Sequence, residues 1–198
     1  MIKVDYRIPN SLRSFLGSLG PAGRHNLFSA AAAAVCNLVR LHIMKEAPKR
    51  HTTAAELGAK ATGHLEKAAR KTVFTADTEH AEVVIPAPGF GRAFHDVEIT
   101  PTNSRALTIP IHQLAYGKRI RELQALGWTT FVPKRSEGAL MSGLVMGSRD
   151  GEVVPLYVLK QRVRQKQDRT LLPSDSEINS TAARAMIAEI QRVARKVG

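Results

Sequence analysis

His95, Asp96 and Glu98 place three metal-ligating or acid–base side chains within four residues. A zinc or manganese site needs three or four such ligands converging on one point. If 94–99 is a strand, His95 and Asp96 point to opposite faces, so His80 or His112 would have to fold onto the same side. The other histidines, 25, 42, 51 and 64, are scattered, and no His-x-x-x-His or His-Glu-x-x-His occurs. Cys36 is the only cysteine and sits in the apolar "AVCNLV", where a thiol acts as a small buried hydrophobe. Gly89-Phe90-Gly91 lacks the third glycine and following helix of a dinucleotide loop. No Gly-x-Ser-x-Gly or Walker pattern is present. The expectation is a protein without catalytic residues, metal or cofactor, with an enzyme built on His95 and Asp96 as the least favoured alternative.

A second pattern carries electrostatic chemistry. In "PLYVLKQRVRQKQDRTLLPSDSEI", Lys160, Arg162, Arg164 and Lys166 stand two residues apart. On one strand, alternate side chains share a face, and six steps span about 20 Å. Lys118, Arg119, Arg121, Lys134, Arg135 and Arg169 extend the cationic set, and the whole chain carries +12. Such an excess suits a polyanion: nucleic acid, an acidic protein surface or a membrane face. Cations on a strand can also simply prevent edge pairing. Trp128, Phe131 and Tyr157 are few aromatics for base stacking, so contact to phosphates or an acidic protein is favoured over base readout.

The elements that must position these residues read as follows. Residues 1–20 read as an N-terminal arm or a first strand, "MIKVDYRI", followed by a turn. A long helix runs from about Ala22 to Ala47, with Leu27, Ala31, Val35, Leu38 and His42 on one stripe and Phe28, Ala32, Val39 and Ile43 beside it. Its asparagine, arginine and histidine make it a poor membrane span. A second helical region, 49–72, is broken by Gly58 and Gly63, with Thr62 as a possible cap. Short apolar runs at 81–86, 94–99, 106–111 and 128–133 read as strands. A short helix covers Lys118 to Leu126. Asp150-Gly151 marks a hairpin, and 134–143 reads as a mobile loop. Ser174-Asp175-Ser176-Glu177 is a capping box opening a last helix with Ile178, Ala182, Met186, Ile190, Val193 and Val197 on one face.

In element order, residues 25–195 resemble the bacteriophage tail-completion or neck proteins, the virion-morphogenesis group that includes minor tail protein Z-like proteins. "ATGHLEKAARKT", "VEITPTNSRALTIPI" and "EVVPLYVLKQRVRQKQDRTLLPSDSEI" carry the likeness. It implies an α+β fold: a small, mostly antiparallel sheet with a long N-terminal helix and a C-terminal helix packed on it. One domain is expected over 21–198, with an inserted loop region around 112–143. The resemblance implies a structural virion protein at the head–tail junction, made in the host cytoplasm. It would form a homo-oligomer, a hexameric ring, touching tail-tube and connector proteins, with genomic DNA passing through the lumen and no membrane partner. A cellular nucleic-acid-binding protein using the same basic strand is the alternative.

Overall fold

The computed structural model describes residues 19–87, 90–93, 95–133 and 143–197. In chain order the elements are α1 (Pro21–Glu46), α2 (Thr52–Glu56), α3 (His64–Lys71), β1 (Val73–Ala76), β2 (Ala81–Val84), β3 (Val97–Ile99), β4 (Leu107–Pro110), α4 (Ile120–Ala125), β5 (Thr129–Phe131), β6 (Leu144–Arg149), β7 (Glu152–Lys160), β8 (Val163–Gln165) and α5 (Asp175–Val197). The fold is α+β, and its strands pair antiparallel in three separate sheets. Expected as one domain after residue 20, the chain divides into two compact units. One is Met1–Pro48, Gly63–His95 and Gln167–Gly198; the other is Lys49–Thr62 and Asp96–Lys166. The expected N-terminal strand and most of the expected loop at 134–143 lie outside the described residues.

The first unit is built around α1. Pro21 stands in its first turn, where a missing N–H costs nothing. Leu27, Phe28, Ala31, Ala32, Val35, Cys36, Val39 and Ile43 are buried, close to the stripe the sequence predicts. Against them pack Leu65, Ala68 and Ala69 of α3, Val83 of β2, and Ile178, Ala182 and Met186 of α5. By length and composition the helical stretch Pro21–Glu56 could cross a membrane; here the apolar side of α1 is the core of this unit. α3 starts after Gly63, whose φ is +64°, so Thr62 is not its cap. β1 was not foreseen, because "VFTA" follows a helix with no breaker between them. It pairs with β2, Val73 opposite Val84. The turn is held by Asp77, whose carboxylate accepts from the backbone N–H of Glu79 (2.7 Å) and His80 (2.8 Å).

A buried polar knot joins α1 to the end of α3. Thr72 is fully buried. Its hydroxyl donates to the Ala68 carbonyl (3.1 Å), and its own carbonyl accepts from Arg40 Nε (3.0 Å), Arg40 Nη2 and Cys36 Sγ (3.7 Å). With its N–H donating to the Ala69 carbonyl (3.1 Å), all three polar groups of this buried threonine are paired, as burial demands. Burial pushes the Cys36 thiol pKa up, with Arg40 pulling weakly the other way. The thiol stays protonated and unreactive at neutral pH.

The second unit holds a four-stranded sheet in the order β4-β7-β6-β5. Asp150 and Gly151, at φ 51° and 82°, make the two-residue turn between β6 and β7, as their sequence predicts. Val145 pairs with Tyr157, and Met146 with Pro155, leaving Leu156 as an extra residue in β7. This bulge resets the alternation, so the consecutive Leu156 and Tyr157 are both buried. They meet Ala115, Leu123, Trp128 and Val145. The Tyr157 hydroxyl donates to the Lys118 carbonyl (3.0 Å), and burial raises its pKa, with Glu122 adding to the rise. Within 112–143, expected as an inserted loop region, Ala115, Leu123 and Trp128 are core residues of this unit, and α4 and β5 lie where a short helix and a strand are expected.

The capping box of α5 forms as expected. The backbone N–H and the hydroxyl of Ser174 both donate to Glu177 Oε2 at 2.8 Å, and the Glu177 N–H lies 3.3 Å from Ser174 Oγ. These bonds hold the Glu177 carboxyl below its usual pKa. A depressed folded pKa stabilises the fold above the unfolded value and loses that contribution as pH falls through the folded one. Ser174→Ala is expected to cost about 1 kcal/mol, read as a lowered urea midpoint at neutral pH. The deficit should shrink as acid protonates Glu177; a pH-independent deficit would detach Glu177 from the cap. Gly147→Ala tests the core of the second unit. An added β-carbon would strike Leu156 and lie 3.0 Å from the Trp128 ring. Overpacking of this kind costs about 1–3 kcal/mol, and an unshifted melt would show that the bulge yields freely.

Candidate polyanion-binding surface

The four alternating cations do not lie on one strand. β7 ends at Lys160, which pairs with Leu107 at the first residue of β4. Beyond Leu107 the sheet has no strand left to pair with, because 102–106 bends away. The chain therefore leaves the sheet through Gln161 and Arg162 and pairs with β3 instead. Val97 faces Gln165, Glu98 faces Arg164 and Ile99 faces Val163. The expectation of a single strand from Tyr157 to Lys166 is corrected accordingly.

Within this two-stranded ribbon the charges are mixed. Arg162 Nη1 lies 3.9 Å from Glu98 Oε1, and Arg164 Nη2 lies 3.9 Å from Asp96 Oδ2. Each arginine reaches diagonally across the register, so Glu98 sits beside both. All four side chains are more than half exposed. Pairs this long and this wet contribute about 0–1 kcal/mol. Lys160 and Lys166 are exposed and make no ion pair among the described residues. Arg105, two residues before Leu107, the partner of Lys160, adds a further cation close by in register. It was missed in the sequence because it stands alone between loop residues.

The remaining candidates are dispersed. Lys118 Nζ donates to the Leu114 carbonyl (3.0 Å). The Arg119 N–H donates to Glu122 Oε2 (3.0 Å) at the start of α4, and Arg121 is exposed on that helix. Lys118 lies over the sheet face that buries Tyr157, whereas Lys160, three residues on, points to the other face by alternation. One broad surface containing both groups is not formed. Arg169 belongs to the first unit, where its Nε donates to Gln167 Oε1 (3.1 Å). Lys134 and Arg135 lie outside the described residues.

Asp96 and Glu98, which the sequence offered as metal ligands, are engaged with arginines. His112 accepts from the Leu114 N–H (3.3 Å), and His80 pairs with Asp77 (3.1 Å). Among the described residues no group of three His, Cys, Asp or Glu could hold a metal ion. A groove along α5 is lined by Ala188, Gln191, Arg192 and Arg195, a lining that offers cations and an amide but no nucleophile beside a base. No protein-family model, curated protein or solved structure matches the chain.

The second unit carries fourteen Lys and Arg against seven Asp and Glu. Two of those seven sit among the cations of the ribbon. Replacing Asp96 and Glu98 with Asn and Gln should release Arg162 and Arg164. The double variant is expected to elute from heparin at higher salt than wild type, with its melting midpoint shifted by less than about 1 kcal/mol equivalent. Unchanged elution would mean that the ribbon is not where polyanions bind.

Proposed function

We propose that this chain is a non-catalytic structural protein that contacts a polyanion through the basic ribbon end of its second unit. Its setting, on the resemblance of residues 25–195, is the head–tail junction of a phage virion, within a homo-oligomeric assembly. The observation that carries the reading is the local charge imbalance. Lys160, Arg162, Arg164 and Lys166 fall within seven residues, with Arg105 close by in register, and only Asp96 and Glu98 answer them among the described residues. Long exposed pairs are weak competitors for a phosphate backbone, which gains further by releasing condensed counterions. The shortage of aromatic side chains favours sequence-independent contact.

Changing Lys160, Arg162, Arg164 and Lys166 together to Gln tests this. The melt should move little, because exposed cations contribute little individually. Wild-type affinity for duplex DNA should fall steeply with salt. The variant's log–log slope should be shallower by roughly two to four, about one for each phosphate that the ribbon no longer neutralises. If the partner is instead an acidic neighbouring subunit, naked DNA should bind weakly in both proteins while the variant fails to complement particle assembly. A variant that binds DNA and supports assembly as wild type does would overturn the proposal.

A further inference from the structure

We propose that the exposed side of α1 pairs with the same side of a second copy of this chain, antiparallel, about a two-fold axis at Asn37. This rests on α1 alone and is independent of the virion reading.

The core takes positions 27, 28, 31, 32, 35, 36, 39 and 43 of α1. At 100° per residue, Ala30, Ala34, Asn37, Leu41 and Met44 lie on the opposite side, in the four–three spacing of a helix-pairing seam. Leu41 is 71% exposed and Met44 is 39% exposed. Asn37 is exposed, and Ala30, Ala33 and Ala34 are partly so. None of these positions is charged, in a chain of net charge +12. The seam positions themselves therefore hold no cation to desolvate, and the exposed Lys45 stands at the edge beside Leu41.

The seam is uneven, and that selects the occupant. Its N-terminal half is alanine and its C-terminal half is Leu and Met. Parallel self-pairing would set Leu41 on Leu41 and Met44 on Met44, holding the helices apart where the alanines need them close. Pairing about residue 37 sets Leu41 against the partner's Ala34 and Met44 against the partner's Ala30. Large then meets small at both ends, and symmetry makes the contact twice. Asn37 meets its own copy, and a carboxamide both donates and accepts, so the polar group at the centre is satisfied. In lipid the same Asn37 would be unpaired in the middle of the apolar side. Antiparallel helices also set each positive N-terminal end beside the partner's negative C-terminal end, the electrostatic complement that a parallel pair lacks. Residues 30–44 span about 21 Å of helix. That covers only part of the ~800 Å² per partner of a standard interface, so the pair should be a weak, concentration-dependent dimer.

Sedimentation of the full chain over a wide concentration range should show a monomer–dimer equilibrium. Leu41→Glu and Ala34→Leu should each weaken dimerisation by about tenfold or more, the loss expected of a buried anchor, with circular dichroism and melting unchanged because these positions do not enter the core. Asn37→Cys should give a disulfide-linked dimer on oxidation, because residue 37 faces itself. Leu41→Cys alone should not link, whereas Leu41→Cys with Ala34→Cys should. The native Cys36 is 1% exposed and does not compete. A chain monomeric at every concentration, a dimer indifferent to Leu41→Glu, or self-linking of the single Leu41→Cys variant would each overturn the proposal.

Discussion

A helix of 26 residues with apolar side chains around most of its circumference cannot stand alone in water. That constraint organises the first unit. α5, α3 and the β1–β2 hairpin each cover a part of α1, and its buried side chains run through all three interfaces. Burying a Leu, Ile, Val or Phe contributes about 1.5–3 kcal/mol, an upper bound because the unfolded chain already hides some of that area. The polar residues of α1 are arranged to serve this covering. Arg40 brings its guanidinium to the Thr72 carbonyl at the C-terminal end of α3 (3.0 Å), where the helix dipole favours a cation. His42 Nε2 meets the Thr170 carbonyl (3.0 Å) in the turn that leads into α5. That turn is held in its own right by Asp168, which accepts from the Thr170 N–H and hydroxyl. So α1 buries its neighbours' apolar sides and also pins their ends.

The second unit solves a different problem with one residue. A regular strand could bury Leu156 or Tyr157 from a given face, not both. The bulge at Leu156 lets both enter the core. Leu156 fills the space left by the absent side chain of Gly147, which is why that position has no room for a β-carbon. Tyr157 reaches the Lys118 carbonyl and fixes the segment that carries Ala115 and Leu123 over the sheet. The same shift in alternation turns Lys160 away from that segment. Local backbone geometry at one residue thus decides which cations can share a surface.

Features whose cause is local were legible in the sequence. The capping box at Ser174 and Glu177, the Asp150-Gly151 turn and the stripe of α1 each depend on residues a few positions apart, and each is found where its spacing places it. Features decided by distant pairing were not. The run from Lys160 to Lys166 keeps period two on both sides of the break, so nothing in it signals that β4 ends at Leu107 and β3 takes over. Ala115, Leu123 and Trp128 follow neither a period of two nor one of 3.6, so nothing in their spacing marks them as one core. Asp96 and Glu98 looked like ligands because the arginines that answer them are more than sixty residues away. On α1 the alanine run 30–34 is plain in the sequence; that the uncovered side also carries Leu41 and Met44 required knowing which side the core occupies.

The acidic residues in the basic ribbon bear on how a polyanion would be held. Unopposed arginines at alternate positions would repel one another and would attract any anion. Placing Glu98 between Arg162 and Arg164, with Asp96 on the far side, lowers that self-repulsion while the ribbon is empty. At 3.9 Å and in water the carboxylates gain little from the contact, so a string of phosphates can displace them, whereas a single dilute anion without counterion release cannot. If the ribbon binds a polyanion as proposed, the carboxylates would set a threshold, disfavouring small anions and yielding to a ligand that carries many negative charges in a row. Lys160 and Lys166, which make no ion pair among the described residues, would offer such a ligand its first contacts.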